Sequence, residues 1–191
     1  LNDYTPDIDD FILISDVGNP LPITPSFSLK SKRHTKDNPY FFDMPVHYSE
    51  TLGDDRLYWG YALYKKIQSS KERILAIDAG TFITMDLITS EGFMGGYIYP
   101  GIKTFLSSYA KGNLLPNLSH KPLIDCELPH STEEAILSAT DQYLLNVLDG
   151  TIKKLHPSKI LLTGGSLEIL KGIFLKLNLK VPLEIDPHSI H

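Results

Sequence analysis

Four short runs in this sequence combine glycines with side chains able to work on a phosphorylated ligand. The first is Asp78-Ala79-Gly80-Thr81-Phe82-Ile83-Thr84-Met85-Asp86. A glycine in a turn, here Gly80, lets backbone N–H groups approach a phosphate with no Cβ in the way. Thr81 adds a hydroxyl donor, and Asp78 can hold a cation that offsets phosphate charge. The same residues equally suit an ordinary hairpin turn. The second run is Gly53-Asp54-Asp55-Arg56. A carboxylate there can accept a proton from a hydroxyl while Arg56, or a helix N-terminus, stabilises negative charge. Acidic residues opening a helix are also a common cap region. The third run, Gly95-Gly96-Tyr97-Ile98-Tyr99-Pro100-Gly101, permits close backbone approach and then a Pro-Gly turn, or is simply a twisted strand entering a helix. The fourth, Leu162-Thr163-Gly164-Gly165, is a strand-to-helix glycine turn of the kind that faces nucleotides and that also serves as a plain connection.

The elements that must carry these runs are visible in the periodicity. Residues 74–77, 82–88 and 92–99 read as strands joined by glycine turns, an antiparallel meander. Helices are expected over 56–68, 102–109, 131–155 and 166–177, with strands over 159–163 and 181–185. The spacing of Ser131 and Glu134 fits a capping box at the start of the long helix. Earlier, 11–15 reads as a buried strand, and 18–47 as irregular chain with short strands at 23–29 and 44–47. From residue 74 the order is β-β-β-α-α-β-α-β, that of a mixed sheet with helices on its faces and of a ribonuclease-H-like lobe.

Composition narrows the function classes. The chain has 191 residues, 42% of them hydrophobic and 21% charged, as in ordinary globular proteins. A net charge of -5 argues against a general nucleic-acid binder. Cys126 is the single cysteine, so neither an intrachain disulfide nor a cysteine metal cluster is available. The seven histidines show no metal-ligand spacing. No apolar run is long enough to span a membrane and no signal peptide is visible, which leads to an expected cytoplasmic location. The basic residues Lys30, Lys32, Arg33, His34 and Lys36 read as a solvated loop. Tyr58, Tyr61 and Tyr64 read as packing or subunit contacts.

Taken in order, the motifs Gly-x-Asp-Arg, Asp-x-Gly-Thr-x-x-Thr-x-Asp, Gly-Gly-x-Ile-x-Pro-Gly, Ser-Thr-x-x-Ala and Thr-Gly-Gly resemble the type III pantothenate kinases over residues 52–170. The resemblance implies the acetate-kinase, Hsp70 and actin fold, an α/β architecture of two ribonuclease-H-like lobes with ATP between them. Residues 1–70 would then be a partial first lobe with the substrate loop, and 71–191 the second lobe. It implies transfer of a phosphoryl group from ATP to pantothenate, giving 4′-phosphopantothenate for coenzyme A biosynthesis, with Mg²⁺ and a potassium or ammonium ion.

Residue by residue, the resemblance makes Asp55 the general base. Gly53, Asp54 and Arg56 complete its substrate loop, and Thr132 is a pantothenate contact near the interface of a homodimer. Asp78 becomes the ligand of the monovalent cation. Gly80, Thr81, Gly164 and Gly165 line the nucleotide phosphates. The apolar residues Ile136, Tyr143, Leu144, Val147 and Leu148 exceed what the core face of one lobe needs, which also points to a homodimer.

The chain departs from the family in places. Phe82 and Ala139 stand where Ala and Gly are usual, and Tyr48 is closer to the Asp55 loop than the family's tyrosine. Asp16-Val17-Gly18-Asn19-Pro20 looks like the family's first phosphate turn, yet Asn19 stands too near Asp55 for a full first lobe. Residues 11–20 are therefore matched to a later strand, with the first three strands and their phosphate turn expected to be missing and ATP binding weak. The rival expectation is a non-catalytic homologue, a regulator like the family members described as transcriptional activators, or a partner-dependent subunit.

Overall fold

The computed structural model describes residues 33–112, 115–121, 128–177 and 179–185. The expected strands at 11–15 and 23–29 and the turn at Asp16 lie outside them, as do Lys30, Lys32 and Cys126. Among the described residues the first elements are a tight hairpin, β1 (Tyr40–Phe41) and β2 (Met44–Pro45), followed by helix α1 (Asp54–Ile67). Strands β3 (Arg73–Ala79), β4 (Phe82–Thr89) and β5 (Gly92–Pro100) lead into α2 (Ile102–Tyr109) and α3 (Thr132–Leu155). Strand β6 (Lys159–Thr163), helix α4 (Leu167–Lys176) and strand β7 (Leu183–Ile185) follow.

The five long-range strands form one sheet in the order β5-β4-β3-β6-β7. β3, β6 and β7 run parallel, while β4 is antiparallel to both β3 and β5. A meander whose first strand pairs with a parallel βαβ unit is the expected ribonuclease-H-like arrangement. The central strands β3 and β6 are apolar on both faces because both faces are covered. Leu75, Ile77, Ile83, Met85, Ile160 and Leu162 meet α2, α3 and α4 on one side. Ile74, Ala76, Ile88, Phe93 and Leu161 meet α1 and the hairpin on the other.

Most boundaries follow the periodicity, and the differences have local causes. α1 starts at Asp54 rather than at 56, with Gly53 as its N-cap, so both aspartates lie in its first turn. The last strand is confined to Leu183–Ile185, its length of pairing with β6. At α3, Ser131 Oγ accepts from the Glu134 N–H at 3.2 Å, as a capping box requires. The Glu134 carboxylate, however, accepts from His130 N–H at 2.9 Å, one residue before the expected partner.

Two sequence expectations are corrected. Arg33 and His34 are not a solvated loop: Arg33 donates to Asp54 and to the Leu52 carbonyl, and His34 is buried, its Nε2 2.9 Å from the Ser49 carbonyl. Ile136, Leu144 and Leu148 are consumed by the core of this one lobe, so their number gives no independent argument for a dimer. Tyr58 and Tyr64 are packing residues, buried with α1 in the second core.

Candidate active site

The α1 face of the sheet changes character along its strands. At one end Ile74, Ala76, Ile88 and Leu161 pack beneath α1. At the other, strand alternation puts Asp78, Thr84, Asp86 and Thr163 on the same face. Asp78 is the register partner of both Thr84 and Thr163, and Asp86 lies opposite Gly96. The N-terminus of α1, with Asp54, Asp55 and Arg56 in its first turn, packs at this polar end.

Arg56 and Asp86 join the helix to the sheet. Arg56 Nε donates to Asp86 Oδ2 at 2.9 Å, and Nη2 donates to Oδ1 at 2.5 Å. Arg56 is 7% exposed and Asp86 2%. The guanidinium lies near two rings that meet edge-to-face, 5.1 Å from the centroid of Tyr48 and 6.0 Å from that of Phe93. Burial pushes the Asp86 carboxyl above its ordinary value, Arg56 pulls the other way, and the nearby charges of Asp55 and Asp78 add to the rise. Burial also works against the Arg56 charge, but the Asp86 carboxylate outweighs it and holds the guanidinium above its usual value. The contact is therefore strong and costly at once, as expected of a buried ion pair. Tyr48, although close to the loop in sequence, is part of this group.

The acidic loop divides its duties. Asp54 is paired with Arg33, whereas the Asp55 carboxylate is exposed and carries no hydrogen bond among the described residues. An exposed carboxylate in the first turn of a helix, beside a fixed guanidinium, has the geometry of a proton acceptor with positive charge next to it.

The two glycine turns sit close by. Gly80 and Thr81 connect β3 to β4, and the Thr81 carbonyl accepts from Gly101 N–H at 3.0 Å and from Thr104 Oγ1 at 2.7 Å. This leaves Thr81 and the Gly80 backbone at an accessible edge. Gly164 has φ +100°, and a Cβ on it would meet Asp78 Oδ1 at 2.5 Å. Gly165 is exposed and faces open space. Beside the carboxylates, Phe82 and Ile98 are 52% and 54% exposed. They form an apolar wall on the same face as Thr84.

The structure thus brings Gly53, Asp55, Arg56, Asp78, Gly80, Thr81, Gly164 and Gly165 to one end of the sheet. Thr132 is not among them. It is exposed in the first turn of α3, whose core residues pack on the opposite face. Asp86 is the site residue to which sequence reasoning gave no role. The available signal was its phase in β4: a carboxylate amid buried neighbours needs a partner.

For a bound cation, the donors here are oxygens, which suit hard ions. Thr84 Oγ1 is buried next to Asp78 with no hydrogen-bond partner among the described residues. Among those residues no group of three or more His, Cys, Asp or Glu is placed to hold a metal. A cation would therefore need ligand oxygens as well. No helix among the described residues is long and apolar enough to cross a membrane.

A family model described as type III pantothenate kinase matches residues 26–154. Relatives of that description include those of Lawsonia intracellularis, 31% identical over 152 residues, and Christiangramia forsetii, 37% identical over 126 residues. These matches cover 72% and 63% of this chain, and 54% and 51% of the relatives. The chain spans about half the length of the curated relatives it matches. Among solved structures, a Campylobacter jejuni protein described as a Baf family transcriptional activator matches with a TM-score of 0.52 at 22% identity. That match covers 72% of this chain and 59% of the other, and shows the shared fold. With the family model matching residues 26–154, about two thirds of its length, and a relative 31% identical over 72% of it, the chain belongs to the type III pantothenate kinase family.

Proposed function

We propose that this lobe works in the transfer of the γ-phosphoryl group of ATP to the primary hydroxyl of pantothenate. The carrying observation is the exposed Asp55 carboxylate beside the buried Arg56–Asp86 pair. Asp55 takes the hydroxyl proton as the oxygen attacks the γ-phosphorus and the bond to the ADP oxygen breaks. Arg56 supplies positive charge that needs no reorganisation, because Asp86 already holds it. Gly80, Thr81, Gly164 and Gly165 offer backbone and hydroxyl donors to the phosphates. The Phe82–Ile98 wall receives apolar parts of the ligand. In phosphoryl transfer the protein chiefly positions groups and stabilises charge, and this inventory suffices for that.

Asp78 and Thr84 would hold a potassium or ammonium ion, and Mg²⁺ would arrive with the phosphates of ATP. These cations supply neutralisation of polyphosphate charge. We read the enzyme as cytoplasmic and homodimeric, with Thr132 of one copy available to the site of another. Phe105 and Tyr143, stacked at 4.4 Å and only half-buried on α2 and α3, support such an interface.

The test is ADP production by the purified chain with ATP and pantothenate. Asp55→Asn should lower kcat by roughly 10²–10⁴-fold, the usual contribution of a general base. Near-native turnover in that variant removes the assignment. A folded chain with no turnover at all favours the reading as a non-catalytic relative, in line with the solved structure described as a transcriptional activator.

A further inference from the structure

We infer that Asp86 is the positioning residue of this site, a clamp that holds the Arg56 guanidinium and with it the first turn of α1, so that Asp55 is presented to the ligand. The ligand's identity rests on the function proposed above; the clamp itself rests on geometry. Asp86 takes two of the three guanidinium nitrogens with its two oxygens, and both groups are buried. The guanidinium also packs against the edge-to-face pair of Tyr48 and Phe93, which leaves it less room to move. Space for the carboxylate is reserved from the neighbouring strand. A Cβ at Gly96 would collide with Asp86 Oδ1 and with the Met85 carbonyl, so only glycine leaves Asp86 in place.

The pair also spans 30 positions of sequence, tying β4 to the residue next to Asp55. A buried ion pair is a poor way to gain stability, since well-packed apolar residues of similar size do as well or better. What it supplies here is orientation. Two parallel hydrogen bonds fix a planar group in angle as well as in place, which a lysine cannot reproduce.

The experiment has two readouts on the full chain. The first follows exchange of the Arg56 Nε–H by NMR. It should be slow in the wild type and at least tenfold faster in Asp86→Asn. Equal exchange in the two proteins overturns the clamp. The second is kinetic. Asp86→Asn should lower kcat/KM for pantothenate on the order of 10²-fold, as small displacements of reacting groups do. KM for ATP should stay within about twofold. Arg56→Lys should cause a similar loss, and the double variant should be no worse than either single one, because both break the same contact.

Additive losses, or a matching rise in KM for ATP, would mean that Asp86 merely supports the fold. If Asp86→Asn does not fold, Asp86→Glu takes its place. It keeps the charge but shifts it by one methylene, so exchange stays slow while kcat/KM falls roughly tenfold; unchanged kcat/KM overturns the positioning role. A wild-type chain without turnover sinks the proposed kinase function instead, and the exchange measurement then decides the clamp alone.

Discussion

At Gly164 the backbone has φ +100°, a conformation that costs a residue with a Cβ of the order of 1–2 kcal/mol. A Cβ there would also press on Asp78 Oδ1 and on Ala79 N, each at 2.5 Å. Gly164→Ala should therefore destabilise the chain by at least about 2 kcal/mol in urea unfolding, strain and clash adding. Gly165 has no such constraint, and Gly165→Ala should stay within about 0.5 kcal/mol. Equal effects at the two positions would show that Asp78 is not wedged against Gly164. In the sequence the two glycines are indistinguishable, because a residue's φ and its neighbours across the turn are set by β3. The same holds for Asp54 and Asp55: only the arrival of Arg33 at Asp54 leaves Asp55 as the exposed carboxylate.

α1 brings the acidic loop to the sheet, and Gly60 packs directly against it. A Cβ there would meet Phe93 Cδ2 at 2.7 Å and Ile88 Cδ1 at 3.3 Å. Glycine inside a helix is normally worse than alanine by about 1 kcal/mol, so Gly60→Ala would stabilise an isolated α1. In the folded chain the sign should reverse. Phe93 is fully buried and cannot yield, so the helix is pushed off the sheet, with Arg56 displaced from Asp86. We expect a loss of about 1–3 kcal/mol, the usual cost of overpacking, together with a raised KM for pantothenate. A stabilised variant, measured by thermal unfolding, would refute this view of how α1 is seated. Helical periodicity made α1 legible from Leu57, Tyr61 and Tyr64, but it assigned Gly60 no part. Its reason is a contact with a strand more than thirty residues later.

For the whole molecule, the question is how much of the surface is committed to a second copy. The core takes Ile136, Leu144 and Leu148, leaving Val147 half-buried, and Tyr143 half-buried against Phe105 of α2, which meets Tyr109. Half-buried aromatic groups are characteristic of interfaces. Sedimentation at roughly micromolar concentration should give twice the 21.4 kDa of one chain. A monomer there would withdraw Thr132 from the site, since within one chain it stands on the helix that covers the opposite face.

The element order from residue 74 to 185, the Ser131 cap and the order of the five motifs were readable in the sequence, because each is written in local features. Alternation, apolar runs, glycines at turns and a hydroxyl three residues before a glutamate all act within a few positions. What the tertiary structure decided was which face each side chain meets and which distant charge answers it. The pairing of Arg56 with Asp86, of Arg33 with Asp54, and the place of Tyr48 over the guanidinium depend on the docking of α1 and the hairpin onto β4 and β5. A period of two or of 3.6 marks a buried side, but it does not name the element that covers it. For that reason Asp86 ended a recognisable motif in the sequence and acquired a role only once the helix lay across the sheet.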